Sequence, residues 1–204
     1  MKNFLAALLF GLLAVPTLAH PHEWVDWSVG LVVEEKSPSV LGPPVARALQ
    51  LELTWDSVLS ALILADFPQI KTSTMRPADL TMLDNTYGLA SSLRASSLAV
   101  SWKGKPVKLP KPVPLPPVAG AKTVTLVYSL PLGLRIDSPG ELRVSLYDPT
   151  YYTDMGISAK KGAFFLGVKD AAKYQNSFAF EQDFDHPYYG GVFPEVVVFH
   201  LENR

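Results

Sequence analysis

The chain has 204 residues, 48% of them hydrophobic, and its 18 Lys and Arg residues against 19 Asp and Glu residues give a net charge of −1. This near-neutral sequence has no basic patch, which argues against a nucleic-acid partner. The absence of cysteine excludes thiol catalysis, a lipoprotein anchor and disulfides, so an ordinary hydrophobic core has to stabilise the fold.

The N-terminus has the pattern of a cleaved secretory signal peptide. Lys2 precedes an apolar run from Phe4 to Val15, and small residues lead to Ala19. The run is shorter than the roughly 20 apolar residues that a membrane-spanning helix needs. We therefore predict a signal peptide over 1–19, cleavage after Ala19, and a single periplasmic domain over 20–204 without a membrane anchor.

Cleavage after Ala19 makes His20 the first residue, followed by Pro21 and His22. The α-amino group and imidazole of His20 can chelate one transition metal, and the imidazole of His22 can complete a histidine brace. Because alternate residues of a strand share a face, Asp26 is expected on the same side as both histidines. Pro21 has no backbone N–H and excludes the square-planar site that uses deprotonated amides. A solvated terminus without metal is the alternative.

Alternating apolar and polar residues predict strands before and after a helical region. The first strand is expected over 22–34 and its partner over 47–54. Five proline residues in 110–117 favour an extended polyproline connector. Further strands are expected over 98–102, 107–109, 123–130, 141–147, 163–168, 177–181 and 195–201.

Two helices are expected between the second and third strands. Asp56 is placed to cap a helix over 56–65, and Thr74 and Pro77 to open a helix that ends near Leu93. The order of elements predicts an α+β, mainly β fold. We expect a β-sandwich-like domain with an inserted pair of helices.

Two later segments contain further candidate ligands. Asp148 precedes a proline, which favours a turn in which the carboxylate accepts backbone N–H groups and the neighbouring tyrosines pack around it. The alternative is that Asp148 binds a metal or a substrate. His186, close to Asp183 and Asp185, is either a distal metal ligand or an ordinary loop histidine. No nucleophile motif of the form Gly-x-Ser-x-Gly occurs, and we predict no catalytic residue.

Three segments have a recognisable order and spacing. They are Ala19-His20-Pro21-His22-Glu23-Trp24-Val25-Asp26, Leu53-Thr54-Trp55-Asp56 and Tyr147-Asp148-Pro149-Thr150-Tyr151-Tyr152. Together they make the mature chain resemble the domain of unknown function 1007 family. Two departures are the lack of the usual aromatic residue between Trp55 and Asp56, and His200 in a final strand where many members have cysteine.

The resemblance implies a periplasmic protein that is encoded beside, or fused to, membrane permeases of the nickel/cobalt-exporter type, some of them connected with zinc. By motif match it carries over His20, His22, Asp26 and Asp148 as candidate functional residues. It carries over no catalytic residue.

The residues and the resemblance together predict a periplasmic metal-binding accessory protein for Zn, Ni or Cu that works with an inner-membrane metal permease. His20 and His22 are the expected ligands, completed by Asp26, Asp148 or His186. One alternative is a copper-dependent oxidoreductase with an N-terminal histidine brace. Another is a structural permease subunit without bound metal. Whether the protein is an enzyme stays open at this point, with a binding protein favoured.

Overall fold

The computed structural model describes residues 23–34, 43–91, 97–168, 177–188 and 190–202. The predicted signal peptide, His20 and His22 lie outside the described residues. Within these ranges, no helix is long and apolar enough to cross a membrane.

The described part of the chain is mainly β, with two α-helices and two sheets, which agrees with the predicted α+β, mainly β class. In chain order the elements are β1 (Glu23–Glu34), β2 (Val45–Trp55), α1 (Ser57–Asp66), a 3-10 helix (Pro68–Thr72), α2 (Pro77–Tyr87), β3 (Ser97–Trp102), β4 (Lys105–Pro106), β5 (Val113–Ala119), β6 (Val124–Arg135), β7 (Gly140–Tyr147), β8 (Thr153–Ile157), β9 (Ala163–Leu166), β10 (Phe178–Gln182) and β11 (Glu195–Leu201).

The first sheet, sheet A, has the strand order β5-β6-β2-β1-β8, and β9 also pairs with β1. The predicted partnership of the first two strands is confirmed, since β1 and β2 are antiparallel with Trp27 opposite Leu53. In contrast, β8 and β9 run parallel to β1, one beside its start and the other farther along. Gly30 permits this pairing because a Cβ at that position would lie 2.3 Å from the ring of Phe164.

The second sheet, sheet B, has the order β10-β11-β7-β3-β4 and is antiparallel between all paired strands. Alternate residues of its strands are buried, including Leu142, Val144 and Leu146 of β7. They belong to the same buried cluster as Trp27 and Trp55 of sheet A. Burial of a side chain of this kind contributes about 1.5–3 kcal/mol relative to its exposed state.

The two predicted helices are present, but their ends differ from expectation. Asp56 caps α1 as predicted, because its Oδ1 accepts the N–H groups of Val58 and Leu59 at 2.7 and 2.9 Å. At α2 the predicted Thr74 cap is wrong. The N-cap is Arg76, whose backbone N–H donates to Asp79 at 3.0 Å.

The second helix also ends earlier than predicted, at Tyr87. Gly88 follows, where a Cβ would lie 2.1 Å from the hydroxyl of Tyr128. Asp84 accepts a hydrogen bond from that hydroxyl at 2.9 Å and from the N–H of Ala90 at 3.3 Å. This packing, which the helical pattern alone does not reveal, ends the helix before Leu93, a residue outside the described part of the chain.

The proline-rich segment was expected to be a connector, and this prediction is wrong for most of its length. Val113–Ala119 forms β5 and pairs antiparallel with β6 at the edge of sheet A. An edge strand tolerates proline because one of its two sides needs no N–H donors. The pairing register shifts between Leu115 and Val118, where two consecutive prolines interrupt it.

Two shorter strands also differ from the sequence prediction. The hairpin partner of β3 is Lys105–Pro106, not 107–109. Strand β8 was not predicted at all, because Thr153–Ile157 has only five residues, one of them glycine, and therefore gives little periodic signal.

Candidate functional site

Strand pairing brings the three motif segments together at one end of sheet A. Val25 lies opposite Trp55, and the backbone N–H of Asp56 donates to the carbonyl of Trp24 at 3.3 Å. On the other side of β1, Glu23 is in register with Thr153, whose hydroxyl donates to the Glu23 carboxylate at 3.2 Å. We call this region, residues 23–26, 54–56 and 148–154, the motif end.

Asp148 forms the turn at the motif end. Its side chain is fully buried, and its Oδ1 accepts the N–H and hydroxyl of Thr150 at 2.8 and 2.6 Å. Its Oδ2 accepts the N–H of Thr153 at 3.1 Å, and its carbonyl accepts the N–H of Tyr151 at 2.9 Å. The predicted capture of backbone N–H groups by Asp148 is confirmed. The turn connects β7 of sheet B to β8 of sheet A, so this carboxylate stabilises the crossover between the sheets.

Tyrosines pack around this turn, as the sequence predicts. Tyr188 contacts Tyr147 and Tyr151, with ring centroids 4.8 and 6.3 Å apart. Tyr151 has a left-handed backbone with φ of 56°, a conformation that costs a non-glycine residue about 1–2 kcal/mol. The contact with Tyr188 and the hydrogen bonds of Asp148 maintain this strained conformation.

Carboxylates lie outside the turn as well. The backbone register of β1 and β8 places Asp154 beside Trp24 and Gly156 beside Asp26, so both aspartates are on the same face of sheet A. Asp26 is exposed and Asp154 is half-buried. The Glu195 carboxylate accepts the N–H of Ile157 at the edge of β8.

The electrostatics of this acidic region favour protonated groups. Burial raises the pKa of the Asp154 carboxyl above its usual value, because the ionised form is partly removed from water. Burial, followed by the charge of Asp154 and contributions from Tyr151, Asp148 and Glu195, raises the pKa of Tyr188 to about 12.

His186 lies in different surroundings. Together with Arg143, Ser145 and Tyr147 it lines a pocket of about 460 Å³ on the face of sheet B that points away from the buried cluster. The side chain is 77% exposed, and its Nδ1 lies 2.9 Å from Oδ2 of Asp183. A carboxylate on one ring nitrogen orients the other, which is a usual arrangement behind a metal-binding histidine.

The predicted ligands therefore divide into three groups. His20 and His22 lie outside the described residues. Asp26 and Asp148 both belong to the motif end, although the two oxygens of Asp148 already accept three hydrogen bonds. His186 belongs to the sheet B pocket. In the part of the chain that the structure describes, no three His, Asp or Glu side chains are grouped closely enough to hold a metal ion.

Two carboxylates at the motif end have no partner within the described part of the chain. Among the described residues, the Asp26 and Asp154 carboxylates have no hydrogen-bond or ion-pair partner, so their oxygens remain available. Sequence reasoning missed Asp154, because only the parallel pairing of β8 brings it beside β1. It also missed Tyr188 and Glu195, which reach the turn and β8 from distant parts of the chain.

Comparison with known proteins places the chain in a family. Residues 5–178 match the model of a family described as "Protein of unknown function (DUF1007)". The match contains His20, His22, Asp26 and Asp148, but His186 lies beyond it.

The chain is also 34% identical, over 87 residues, to an uncharacterized 15.5 kDa protein in the trpE 3′ region of Spirochaeta aurantia. That similarity covers 43% of this chain and 60% of the relative, so the chain spans about three fifths of the relative's length. Because the family match covers most of the sequence, the chain belongs to the DUF1007 family of proteins of unknown function.

Proposed function

We propose that the protein is a periplasmic metal-binding accessory protein that exchanges Zn, Ni or Cu with an inner-membrane permease of the nickel/cobalt-exporter type. The observation that carries the proposal is the parallel pairing of β1 with β8. It brings the first residue of β1, Glu23, next to Thr153 and the acidic residues around it.

The two histidines come just before β1 in the sequence. His22 directly precedes Glu23, the first residue of β1, in the sequence. His20 is three positions before Glu23 in the sequence, which makes both histidines candidates for a site at the motif end. The free carboxylates of Asp26 and Asp154 are on the two strands at this end of the sheet.

The proposed ligands are the amine and imidazole of His20, the imidazole of His22, and one carboxylate. Asp154 joins Asp26 as a candidate for that carboxylate. Asp148 is instead a positioning residue, because its hydrogen bonds shape the turn that leads into β8. His186, which lines the sheet B pocket, stays a candidate for a distal ligand.

The open position of such a site suits metal transfer. A ligand set at a chain terminus can be reached by a partner, which favours exchange over permanent retention. Export to the periplasm follows from the predicted signal peptide and the permease partner from the family resemblance. A sandwich-like packing of sheets A and B, which would make the motif end one edge of the sandwich, is also part of this proposal.

The test is calorimetric titration of mature protein that begins at His20 with Zn²⁺, Ni²⁺ and Cu²⁺ in turn. A version with one additional N-terminal alanine keeps both imidazoles but removes the amine chelate. We expect binding to weaken at least about tenfold in this version, which corresponds to about 1.4 kcal/mol. A His20→Ala/His22→Ala variant should lose tight binding, whereas His200→Ala, at an exposed histidine on sheet B, serves as the matched control.

The outcomes separate the alternatives. Equal, tight binding by the native and extended proteins would contradict the amine-containing site. Absence of binding by all versions would overturn the metal-binding proposal and favour a structural permease subunit. Reductant-dependent turnover of oxygen by the Cu²⁺-loaded protein would instead support the copper oxidoreductase.

A further inference from the structure

The outward face of α1 is apolar from residue 58 to residue 65, between the exposed Ser57 and Asp66 at its ends. Val58 is 74% exposed and Leu62 is 54% exposed, and the alanines at 61 and 65 on the same face are also exposed. The helix contains no Lys, Arg or Glu, and its one charged residue is the terminal Asp66. A helix on the surface of a protein ordinarily has polar or charged residues on its outer face. This stripe, residues 58, 61, 62 and 65, is therefore suited to contact with another apolar surface.

The order of side-chain sizes along the stripe identifies what fits it. From the N-terminus the residues are large, small, large and small: Val58, Ala61, Leu62 and Ala65. In an antiparallel pair of two such helices, with the two-fold axis between residues 61 and 62, Val58 faces Ala65 of the other copy. In the same way Leu62 faces Ala61. Every large side chain then meets a small one, and a two-fold interface requires this kind of self-complementarity.

We propose that the protein forms a homodimer through antiparallel pairing of α1 with α1 of a second copy. The alanines allow the helix backbones to approach closely, while Val58 and Leu62 fill the spaces above them. A parallel pair would instead set Val58 against Val58 and Ala65 against Ala65, which gives steric crowding at one end and a gap at the other. The proposal is independent of metal binding.

The size of the contact determines its strength. Ten helical residues extend about 15 Å, so the pair buries less than the roughly 800 Å² per partner of a standard interface. We therefore expect a weak dimer whose population changes with concentration. Apolar burial drives this association, so added salt should not dissociate it.

Sedimentation velocity over a series of protein concentrations, up to about 1 mM, tests the association. The wild type should pass from monomer to dimer, and Leu62→Glu should remain monomeric because the pair would bury its charge. Met82→Glu is the matched control, because Met82 is 61% exposed but lies on α2, outside the stripe. A wild type that stays monomeric, or a Leu62→Glu variant that still dimerises, would overturn the proposal. A monomer that binds neutral phosphatidylcholine vesicles through Leu62 would overturn it in favour of a membrane surface.

Cross-linking tests the orientation, and the absence of native cysteine makes the result unambiguous. Val58→Cys and Ala65→Cys variants, one with an additional mass tag, are mixed and oxidised. In the antiparallel pair these positions face each other, so a mixed disulfide dimer should form in preference to either self-dimer. Within one helix the two positions are about 10 Å apart, too far for a disulfide. Efficient self-dimers of each variant without the mixed dimer would contradict the antiparallel arrangement.

Discussion

Asp148 and Asp154 are six residues apart in the motif end, yet their surroundings are opposite. Asp148 is completely buried and accepts three hydrogen bonds from Thr150 and Thr153. Asp154 is half-buried, has no hydrogen-bond partner among the described residues, and has a raised pKa. The aspartate within the recognisable sequence motif thus stabilises the turn, whereas the aspartate after it keeps oxygens available for a ligand.

The largest effect on stability should come from replacing Asp148, the carboxylate that accepts three hydrogen bonds. Asp148→Ala leaves buried N–H groups without an acceptor, and we expect a loss of about 3–5 kcal/mol in the free energy of unfolding. Urea denaturation followed by circular dichroism and by tryptophan fluorescence measures this loss. Asp148→Asn keeps one oxygen acceptor and should lose less. If both variants unfold like the wild type, the turn does not depend on Asp148.

Replacement of Asp154 should have a smaller effect on the free energy of unfolding, and of opposite sign. The folded protein holds the proton more tightly than the unfolded chain, because burial raises the pKa of this carboxyl. Its stabilising contribution is therefore present below the unfolded pKa and is lost as the pH rises through the folded pKa. At neutral pH, Asp154→Asn should be somewhat more stable than the wild type, and the difference should shrink in acid.

Urea denaturation of the two proteins at pH 7 and at pH 4 tests this sign. Asp26→Asn, at an exposed aspartate on the same face of sheet A, is the matched control and should show little change. A loss of stability in Asp154→Asn at neutral pH would mean that the ionised carboxylate has a favourable partner in the fold.

The smallest effect at neutral pH is expected for Tyr188→Phe. The loss of an ionisable phenol should distinguish this variant from the wild type only in alkaline solution. Its pKa of about 12 lies above the usual value of 10, so the folded state disfavours the phenolate. The stabilising contribution is intact below pH 10 and is lost as the pH rises toward 12. Ultraviolet titration of Tyr188→Phe should lack one late-titrating tyrosine. Tyr152→Phe, at a tyrosine that is 44% exposed, provides the comparison. Identical titration curves for Tyr188→Phe and the wild type would place the late group elsewhere.

Features that depend on neighbouring residues could be predicted well. The alternation of β1 and β2 predicted two paired strands, and Asp56 was identified as a helix cap. The Asp148 turn was also predicted, because an aspartate before proline acts on N–H groups only a few residues ahead. In each case the interacting atoms are close in sequence or the periodic pattern is long.

Features that depend on distant residues could not be predicted in this way. The helix α2 ends where Gly88 packs against Tyr128, and β5 forms where an edge position tolerates its prolines. The candidate site shows the same limit, since Asp154 and Glu195 become relevant only when β8 pairs with β1.

The sequence by itself determined the mainly β fold with its helical pair, the Asp148 turn and the three motif segments, because these follow from periodicity and local hydrogen bonding. Only the tertiary structure decided that the three segments share one end of sheet A. It also decided that the Asp148 carboxylate accepts hydrogen bonds there, whereas the Asp154 carboxylate has no partner among the described residues. The reason is that parallel pairing between β1 and β8 joins residues more than a hundred positions apart, and no local pattern encodes that partner.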